Sequence, residues 1–103
     1  MTKSEKQVMD LLWSVDRPLS CTEIVELSGD KTWKDSYVHS LIKSLMKKGI
    51  VKIKAFELIS RRYARKFAPA MSKAEYAFQF LVAALSREEL IQIVELLEKR
   101  GWI

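Results

Sequence analysis

Four copies of one short pattern mark where helices are expected to begin in this chain. In each copy a Ser or Thr stands three residues before a Glu, and the two side chains can satisfy each other's free backbone N–H groups at a helix start. The copies are Thr2-Lys3-Ser4-Glu5, Ser20-Cys21-Thr22-Glu23, Ser72-Lys73-Ala74-Glu75 and Ser86-Arg87-Glu88-Glu89. Four helix starts in 103 residues predict a mainly helical fold.

Two short helices are predicted before residue 30. Proline is disfavoured inside a helix and glycine readily forms a helix end, so we expect the first helix to stop near Pro18 and the second to end at Gly29. Their apolar residues are Val8, Met9, Leu11 and Leu12 in the first helix and Ile24, Val25 and Leu27 in the second.

A third, amphipathic helix is predicted between Lys31 and Gly49, with the glycine as its C-terminal cap. Its apolar residues recur at the i, i+3, i+4, i+7, i+8 spacing that places side chains in one stripe of an α-helix. The stripe consists of Val38, Leu41, Ile42, Leu45 and Met46. The opposite face carries Ser36, Ser40, Lys43 and Lys47, flanked by Tyr37, Ser44 and His39.

The hydrophobic period changes from 3.6 to 2 after Gly49, which indicates strands. Apolar and basic residues alternate over residues 51–54, and a second run, rich in Tyr, Phe and Arg, covers residues 61–67 and ends at Pro69. We expect a break between the runs at residues 55–60. Three helices followed by a basic β-hairpin form the winged helix-turn-helix arrangement.

Positive charge is concentrated in the middle of the chain, whose formal net charge is +5. Residues 1–30 carry three basic and six acidic side chains, residues 31–69 carry eleven and two, and residues 70–103 carry four and five. Such a block is the electrostatic signature of a surface that binds a polyanion. The alternative is an ordinary solvated lysine surface, which the acidic flanks disfavour.

The C-terminal segment, residues 72–103, has more apolar residues than a small domain can cover. Between Ala74 and Leu85 ten of twelve residues are apolar. A second copy of the chain is the economical partner for such a surface, so we expect a homodimer. The alternative is that both helices fold back on the N-terminal domain. The residues expected at the dimer interface are Tyr76, Phe78, Phe80, Leu81, Leu85, Leu90, Ile93, Val94 and Leu97.

The predicted fold is therefore mainly α with a small β-hairpin. A winged helix-turn-helix DNA-binding domain is expected at residues 1–70 and a helical dimerisation region, with two C-terminal helices, at residues 71–103.

Composition excludes several other classes of protein. A single cysteine, Cys21, allows neither an intramolecular disulfide nor a cysteine cluster for a metal, as is typical of the reducing cytoplasm. No segment resembles a signal peptide and no apolar run approaches the roughly 18 residues that span a bilayer, so we expect a cytoplasmic protein without membrane insertion. The lone histidine, His39, has no catalytic companions, and no enzyme activity, cofactor or metal is predicted.

Cys21 falls in the first turn of the second predicted helix. There the positive end of the helix dipole could lower the pKa of the thiol and favour oxidation. The alternative, which we favour, is a small residue tolerated at a helix start.

Taken together, these residues resemble one known family, the penicillinase repressors (BlaI/MecI/CopY-like). The resemblance begins with Glu5 and the segment VMDLLW at Val8–Trp13 and continues through TEI at Thr22–Ile24. It is most specific in TWKDSYVHSLIKSLMKKG, Thr32–Gly49, which contains the third helix. Pro69 and Tyr76 fit the family's junction between the wing and the dimerisation helices, so the resemblance covers essentially the whole chain.

The resemblance implies a homodimeric winged-helix repressor whose third helix enters the major groove of a pseudo-palindromic operator. Members commonly control resistance to β-lactams or copper export. The family's groove-facing positions correspond to Lys34, Ser36, Tyr37 and Ser40, and a phosphate-contacting position corresponds to Ser44. Trp13 and Trp33 look like core residues.

Several positions depart from the family pattern. Tyr37 stands where Thr is frequent, and Ser44 stands where a basic residue is frequent. The wing tip, residues 55–60, lacks the usual Gly-Arg turn. The chain contains no Asn, so the cleavage at an Asn-Phe bond that links related repressors to a membrane sensor-protease would need a substitute such as Gln79-Phe80. The C-terminal cysteine cluster of copper-responsive relatives is also missing.

The predicted function is sequence-specific repression by a homodimer bound to double-stranded DNA, controlling an antibiotic-resistance or metal- or stress-response operon. Bases would be read by Lys34, Ser36, Tyr37 and Ser40. Phosphates would be bound by Lys43, Ser44, Lys47, Lys52, Lys54, Arg61 and Arg62. The alternative is a winged-helix module that binds an acidic protein, with the apolar wing-tip residues Phe56, Leu58 and Ile59 as an anchor. RNA binding is less favoured, since no exposed aromatic platform is expected.

Overall fold

The computed structural model describes residues 1–29 and 33–103. In chain order its elements are α1 (Lys3–Ser14), α2 (Cys21–Leu27), α3 (Asp35–Lys47), β1 (Val51–Ile59), β2 (Arg62–Pro69), α4 (Lys73–Ala84) and α5 (Arg87–Lys99). The mainly helical fold with one hairpin is therefore confirmed. Lys31 and Thr32, at the predicted start of the third helix, lie outside the described residues.

Three of the predicted capping boxes are formed in full. At the start of α1 the backbone N–H of Glu5 donates to Thr2 Oγ1 over 3.2 Å, and the N–H of Thr2 donates to Glu5 Oε1 over 2.9 Å. The same reciprocal pair begins α2 at Ser20 and α5 at Ser86. Each cap stabilises its helix by about 1 kcal/mol. Helix α4 begins at Lys73, directly after Ser72, the first residue of the remaining copy of the pattern.

The chain divides into two compact units, Met1–Ser72 and Lys73–Ile103. The predicted boundary, between residues 70 and 71, lies two residues earlier.

The first unit is built around one apolar core that joins α1, α2, α3 and the base of the hairpin. Four of the five predicted stripe residues of α3 are buried, and Met46 is half-buried at the edge. Burying each such side chain stabilises the fold by roughly 1.5–3 kcal/mol. The buried apolar residues are Val8, Met9, Leu12, Leu19, Cys21, Ile24, Val38, Leu41, Ile42, Leu45, Ile50, Val51 and Phe67.

The hairpin of β1 and β2, called the wing from here on, is longer than predicted. The expected break at residues 55–60 is wrong, because β1 runs without interruption to Ile59, which pairs with Arg62. The turn is formed by Ser60 (φ 48°) and Arg61 (φ 68°) alone. Positive φ at both central residues is the geometry of a type I′ turn, whose twist matches that of the two strands. Cross-strand pairs such as Leu58 with Tyr63 then extend the ladder to the tip.

Two features fix how the wing leaves the core. Leu19, in the loop before α2, exchanges two backbone hydrogen bonds of 2.9 and 2.7 Å with Phe67 of β2. A register shift between Ile53 and Ala55 leaves Lys54 without a cross-strand partner. Such a bulge increases the local twist and re-aims the side chains beyond it.

The second unit consists of α4 and α5, and neither helix has a buried residue. Large apolar side chains lie in solvent on both, for example Phe78 (65% exposed), Phe80 (64%) and Ile91 (50%). Near the chain end, Trp102 is 76% exposed. Among the described residues, no helix is long and apolar enough to cross a membrane.

Candidate nucleic-acid interface

Helix α3 separates the core from a polar exposed surface. Val38 and Leu45 are fully buried on one side, while Ser36, Ser40 and Lys43 on the other side are exposed. Lys34 occupies the N-cap position, where its backbone carbonyl accepts the N–H groups of residues 37 and 38. The polar face of α3 is thus held outward by the burial of the opposite face.

The four predicted base-reading residues come together in one shallow depression at the N-terminal end of α3. This α3 depression has a volume of about 410 Å³. It is lined by Trp33, Lys34, Ser36, Tyr37 and Ser40. The structure therefore places hydroxyl, amino and aromatic groups around one concave surface, which suits contact with the edges of stacked bases.

The hydroxyl groups in the α3 depression are not equally available to a ligand. Tyr37 Oη donates to Ser4 Oγ of α1 over 2.8 Å, and the Tyr37 ring meets Trp33 edge-on at 5.7 Å between centroids. Ser40 Oγ donates to the Ser36 carbonyl over 3.2 Å, which leaves its lone pairs free to accept. Tyr37 is 42% exposed although its hydroxyl is engaged, so part of this side chain is accessible to a ligand.

A buried carboxylate joins α1 to the C-terminal half of α3. Glu5 is 2% exposed and accepts hydrogen bonds from Lys48 Nζ over 2.8 and 3.0 Å and from Ser44 Oγ over 2.9 Å. Lys48 is the main reason that the pKa of Glu5 falls to about 2, against the opposing effect of burial. Because the Ser44 hydroxyl hydrogen points to Glu5, a phosphate contact by Ser44 would have to displace this bond.

The other predicted phosphate-binding residues are all exposed on α3 and the wing. None of them has an ion-pair partner within the part of the chain that the structure describes. Their charges remain available to a polyanion. They are Lys43 and Lys47 on α3, Lys52 and Lys54 on β1, Arg61 in the turn and Arg62 at the start of β2.

Lys66, by contrast, is engaged inside the protein. Its Nζ lies 2.8 Å from Glu23 Oε1 of α2 and also pairs with Glu57 of β1. Glu23 pairs in addition with Arg17 at 2.6 Å, and these two cations, Lys66 foremost, lower the pKa of Glu23 to about 2. The two carboxylates in turn raise the pKa of Lys66. The network ties the wing to α2.

The sequence did not single out Arg65 of β2, which together with residues of α3 lines a cavity. Its guanidinium carbon lies 5.7 Å from the centre of the Phe67 ring. On a strand, residues two apart share a face, so the alternation from Phe67 back to Arg65 was the available signal. The residues that line the neighbouring cavity are His39, Ser40, Ile42, Lys43, Met46, Arg65 and Phe67.

Cys21 is buried at the first position of α2, in agreement with the favoured expectation of a small residue at a helix start, whereas the two predicted core tryptophans are not fully buried. Burial raises the pKa of the Cys21 thiol to about 11, so the alternative of a dipole-lowered pKa is wrong. Its Sγ lies 3.6 Å from His39 Nδ1. Trp13 and Trp33 are half-buried at the edge of the core, and Trp13 Nε1 donates to the Met71 carbonyl over 3.0 Å.

The predicted dimerisation residues lie on α4 and α5, except Leu85, which directly follows the last residue of α4. They are half-buried at Tyr76, Leu81, Leu85, Leu90 and Ile93 and exposed at Phe78, Phe80, Val94 and Leu97.

Comparison with known proteins gives one family and one fold. A family model described as penicillinase repressor matches residues 1–99. Six chains of known structure match, among them the crystal structure of MepR, a transcription regulator of the Staphylococcus aureus multidrug efflux pump MepA. That structure aligns with a TM-score of 0.52 at 17% identity, over 97% of this chain and 77% of the other. Identity at this level shows a shared fold alone. No curated protein sequence matches.

Proposed function

The chain belongs to the penicillinase repressor family, whose members are DNA-binding transcriptional repressors and not enzymes, and from this premise we propose that it acts as a homodimer on a pseudo-palindromic operator. The observation that carries the proposal is the α3 depression, in which Lys34, Ser36, Tyr37 and Ser40 surround one concave surface at the N-terminal end of a helix whose polar face is exposed. Helix α3 is accordingly proposed as the recognition helix, lying in the major groove.

We propose a division of labour between bases and phosphates. Ser36 and Ser40 offer short hydroxyls to base edges, the Tyr37 ring contacts thymine methyl groups, and Lys34 reaches guanine. The cations of α3 and the wing that form no ion pair with another described residue neutralise phosphates. Each neutralised phosphate steepens the log–log salt dependence by about 0.9. Ser44, whose hydroxyl is held by Glu5, contributes less than the family pattern implies.

The homodimer is proposed from the second unit. Helices α4 and α5 carry large apolar side chains and bury none of them within one chain, so a second copy would cover this surface. Two recognition helices would then meet two half-sites about one helical turn apart. By analogy with its family, the chain is proposed to control an antibiotic-resistance or metal- or stress-response operon in the cytoplasm.

Genome-wide footprinting with the purified protein tests this function. We expect protected sites at a small number of promoters, each containing an inverted repeat, because a two-fold dimer requires a matching site symmetry. Protection spread evenly over the genome, with no shared motif, would contradict sequence-specific repression.

One observation favours a second function. Phe56 (62% exposed), Leu58 (59%) and Ile59 (50%) lie in solvent at the wing tip. A module that binds an acidic protein could use these residues as an apolar anchor beside the basic wing. Failure of the protein to shift any duplex below about 100 mM salt would favour this alternative.

A further inference from the structure

A groove separates the recognition helix from the wing. It consists of two adjoining cavities of about 410 and 330 Å³ that share His39, Arg65 and Phe67. We call it the helix–wing groove. Its α3 wall adds Ser40, Ile42, Lys43 and Met46, and its far end adds Ser20, Cys21, Thr22, Tyr63 and Ala64.

Basic groups line the helix–wing groove; at its far end the Asp35 carboxylate, which is not a lining group, accepts a hydrogen bond from Thr22 Oγ1 over 3.3 Å. Lys43 stands on the α3 side and Arg65 on the wing side, and none of the described residues that line either cavity is Asp or Glu. The next residue, Lys66, is neutralised by two carboxylates on the other face of the wing. Two adjacent cations of β2 therefore have different surroundings. Lys66 is part of an ion-pair network, whereas Arg65 lines the groove, where it can bind an anion.

Arg65 is held in place without loss of its charge. Its guanidinium lies over the ring of Phe67, which is 2% exposed and fixed in the core. A cation–π contact of this kind orients the guanidinium but leaves its N–H donors unused. Such a planar fork suits the two oxygens of a phosphodiester, which it can bind with paired hydrogen bonds.

The size and floor of the groove favour a nucleic-acid backbone over a free phosphate ion. A volume near 410 Å³ exceeds what one phosphate fills, and Ile42, Met46 and Phe67 give an apolar floor between the two basic walls. Deoxyribose provides the apolar surface that such a floor would contact, and the phosphate provides the charge.

We propose that the helix–wing groove seats one backbone phosphodiester of each operator half-site, with Arg65 as its principal ligand and Lys43 on the opposite wall. This inference rests on the proposed function and adds to it a phosphate site. The contact fixes the wing and the recognition helix to the same strand of the duplex.

The test pairs single variants of the protein with single neutralised phosphates in the DNA. Operator duplexes with one methylphosphonate at each position in turn are titrated against wild type, Arg65→Gln and Arg62→Gln, the last being a matched control at the wing tip. At one position per half-site, the methylphosphonate should weaken operator binding by wild type and by Arg62→Gln about tenfold. It should leave operator binding by Arg65→Gln unchanged, because this variant already lacks the guanidinium that contacts that phosphate. The salt slope of Arg65→Gln should fall by about 0.9 per half-site.

Arg65→Lys separates a phosphate contact from a folding role. It should keep most of the wild-type salt slope while losing part of the affinity, because it retains the charge without the fork. The inference is overturned if Arg65→Gln keeps the wild-type salt dependence and loses affinity at every methylphosphonate position that weakens binding by wild type. If the wild-type protein shifts no duplex, the proposed DNA-binding function is contradicted. The phosphate site in the helix–wing groove, which rests on that function, is then contradicted as well.

Discussion

The carboxylate of Glu5 illustrates how one residue can both cap a helix and join that helix to another. It caps α1 at Thr2 and also holds Ser44 and Lys48 of the α3 region. A charged group buried to 2% exposure is stable only while its partners remain. We therefore expect its loss to affect both the stability of the fold and the placement of α3 against α1.

We expect Glu5→Gln to lower the free energy of unfolding at pH 7 by about 1–3 kcal/mol, because Lys48 loses its buried counter-charge. The folded-state pKa of about 2 lies below the ordinary 4.5, so the contribution is present above pH 4.5 and is lost as the pH falls towards 2. Urea denaturation at several pH values measures this. The exposed control Glu26→Gln should match wild type throughout. A wild-type advantage over Glu5→Gln that stays constant down to pH 2 would contradict the assignment.

Tyr37 allows the hydroxyl and the ring to be tested separately. Its hydroxyl is engaged with Ser4 of α1, so we expect Tyr37→Phe to keep nearly all of the operator affinity. Tyr37→Ala should weaken operator binding by about 1–3 kcal/mol and binding to a random duplex much less, because the ring contacts bases. Gel-shift titrations at one salt concentration measure both. Equal losses for the two variants would show that the hydroxyl, not the ring, contacts DNA.

At the scale of elements, helix starts could be read from the sequence but the wing could not. The capping residues act within four positions of the chain, so their pattern predicts local structure directly. The turn at Ser60 and Arg61 lacks the Asn-Gly or Asp-Gly signal of a type I′ hairpin, and the break was therefore predicted too early. The length of the wing depends on strand register and cross-strand pairing, which local sequence patterns do not reveal.

This turn provides a prediction in which stability and affinity change in opposite directions. Arg61→Gly should raise the free energy of unfolding by about 0.5–1 kcal/mol, because glycine tolerates a φ of 68° better than arginine. It should also weaken DNA binding through loss of a phosphate contact. The control Arg62→Gly, at the first position of β2, should lower both the free energy of unfolding and the affinity for DNA. Thermal melts and gel shifts measure the two quantities, and a destabilised Arg61→Gly would contradict the turn geometry.

At the scale of the whole molecule, the sequence predicted which segments would bind DNA, but not which of their cations form ion pairs with other described residues. Arg61, Arg62, Arg65 and Lys66 form one basic run, and only the strand register and the positions of distant carboxylates distinguish them. The same holds for Lys48, which Glu5 engages across 43 positions of sequence. Long-range pairs of this kind depend on packing, which local patterns do not encode.

Dimer formation can be tested by a substitution that introduces one charge on the apolar surface of the second unit. We expect wild type to sediment at about 24 kDa at micromolar concentration, twice the 12.0 kDa of one chain. Phe80→Glu, at a residue 64% exposed in one chain, should sediment as a monomer with its helical content retained. Gln92→Glu adds the same charge at a polar exposed position of α5 and should remain a dimer. A monomeric wild type would remove the basis for a palindromic site.

We propose that α3 reads bases while the lysines around it bind phosphates. The most direct measurement is the ratio of operator affinity to random-duplex affinity, in one buffer, for wild type, Ser40→Ala and Lys47→Ala. We expect Ser40→Ala to lower this ratio by the equivalent of about 1–3 kcal/mol, whereas Lys47→Ala should weaken binding to both duplexes alike and leave the ratio unchanged. An unchanged ratio for Ser40→Ala, with both variants losing affinity equally for the two duplexes, would contradict it.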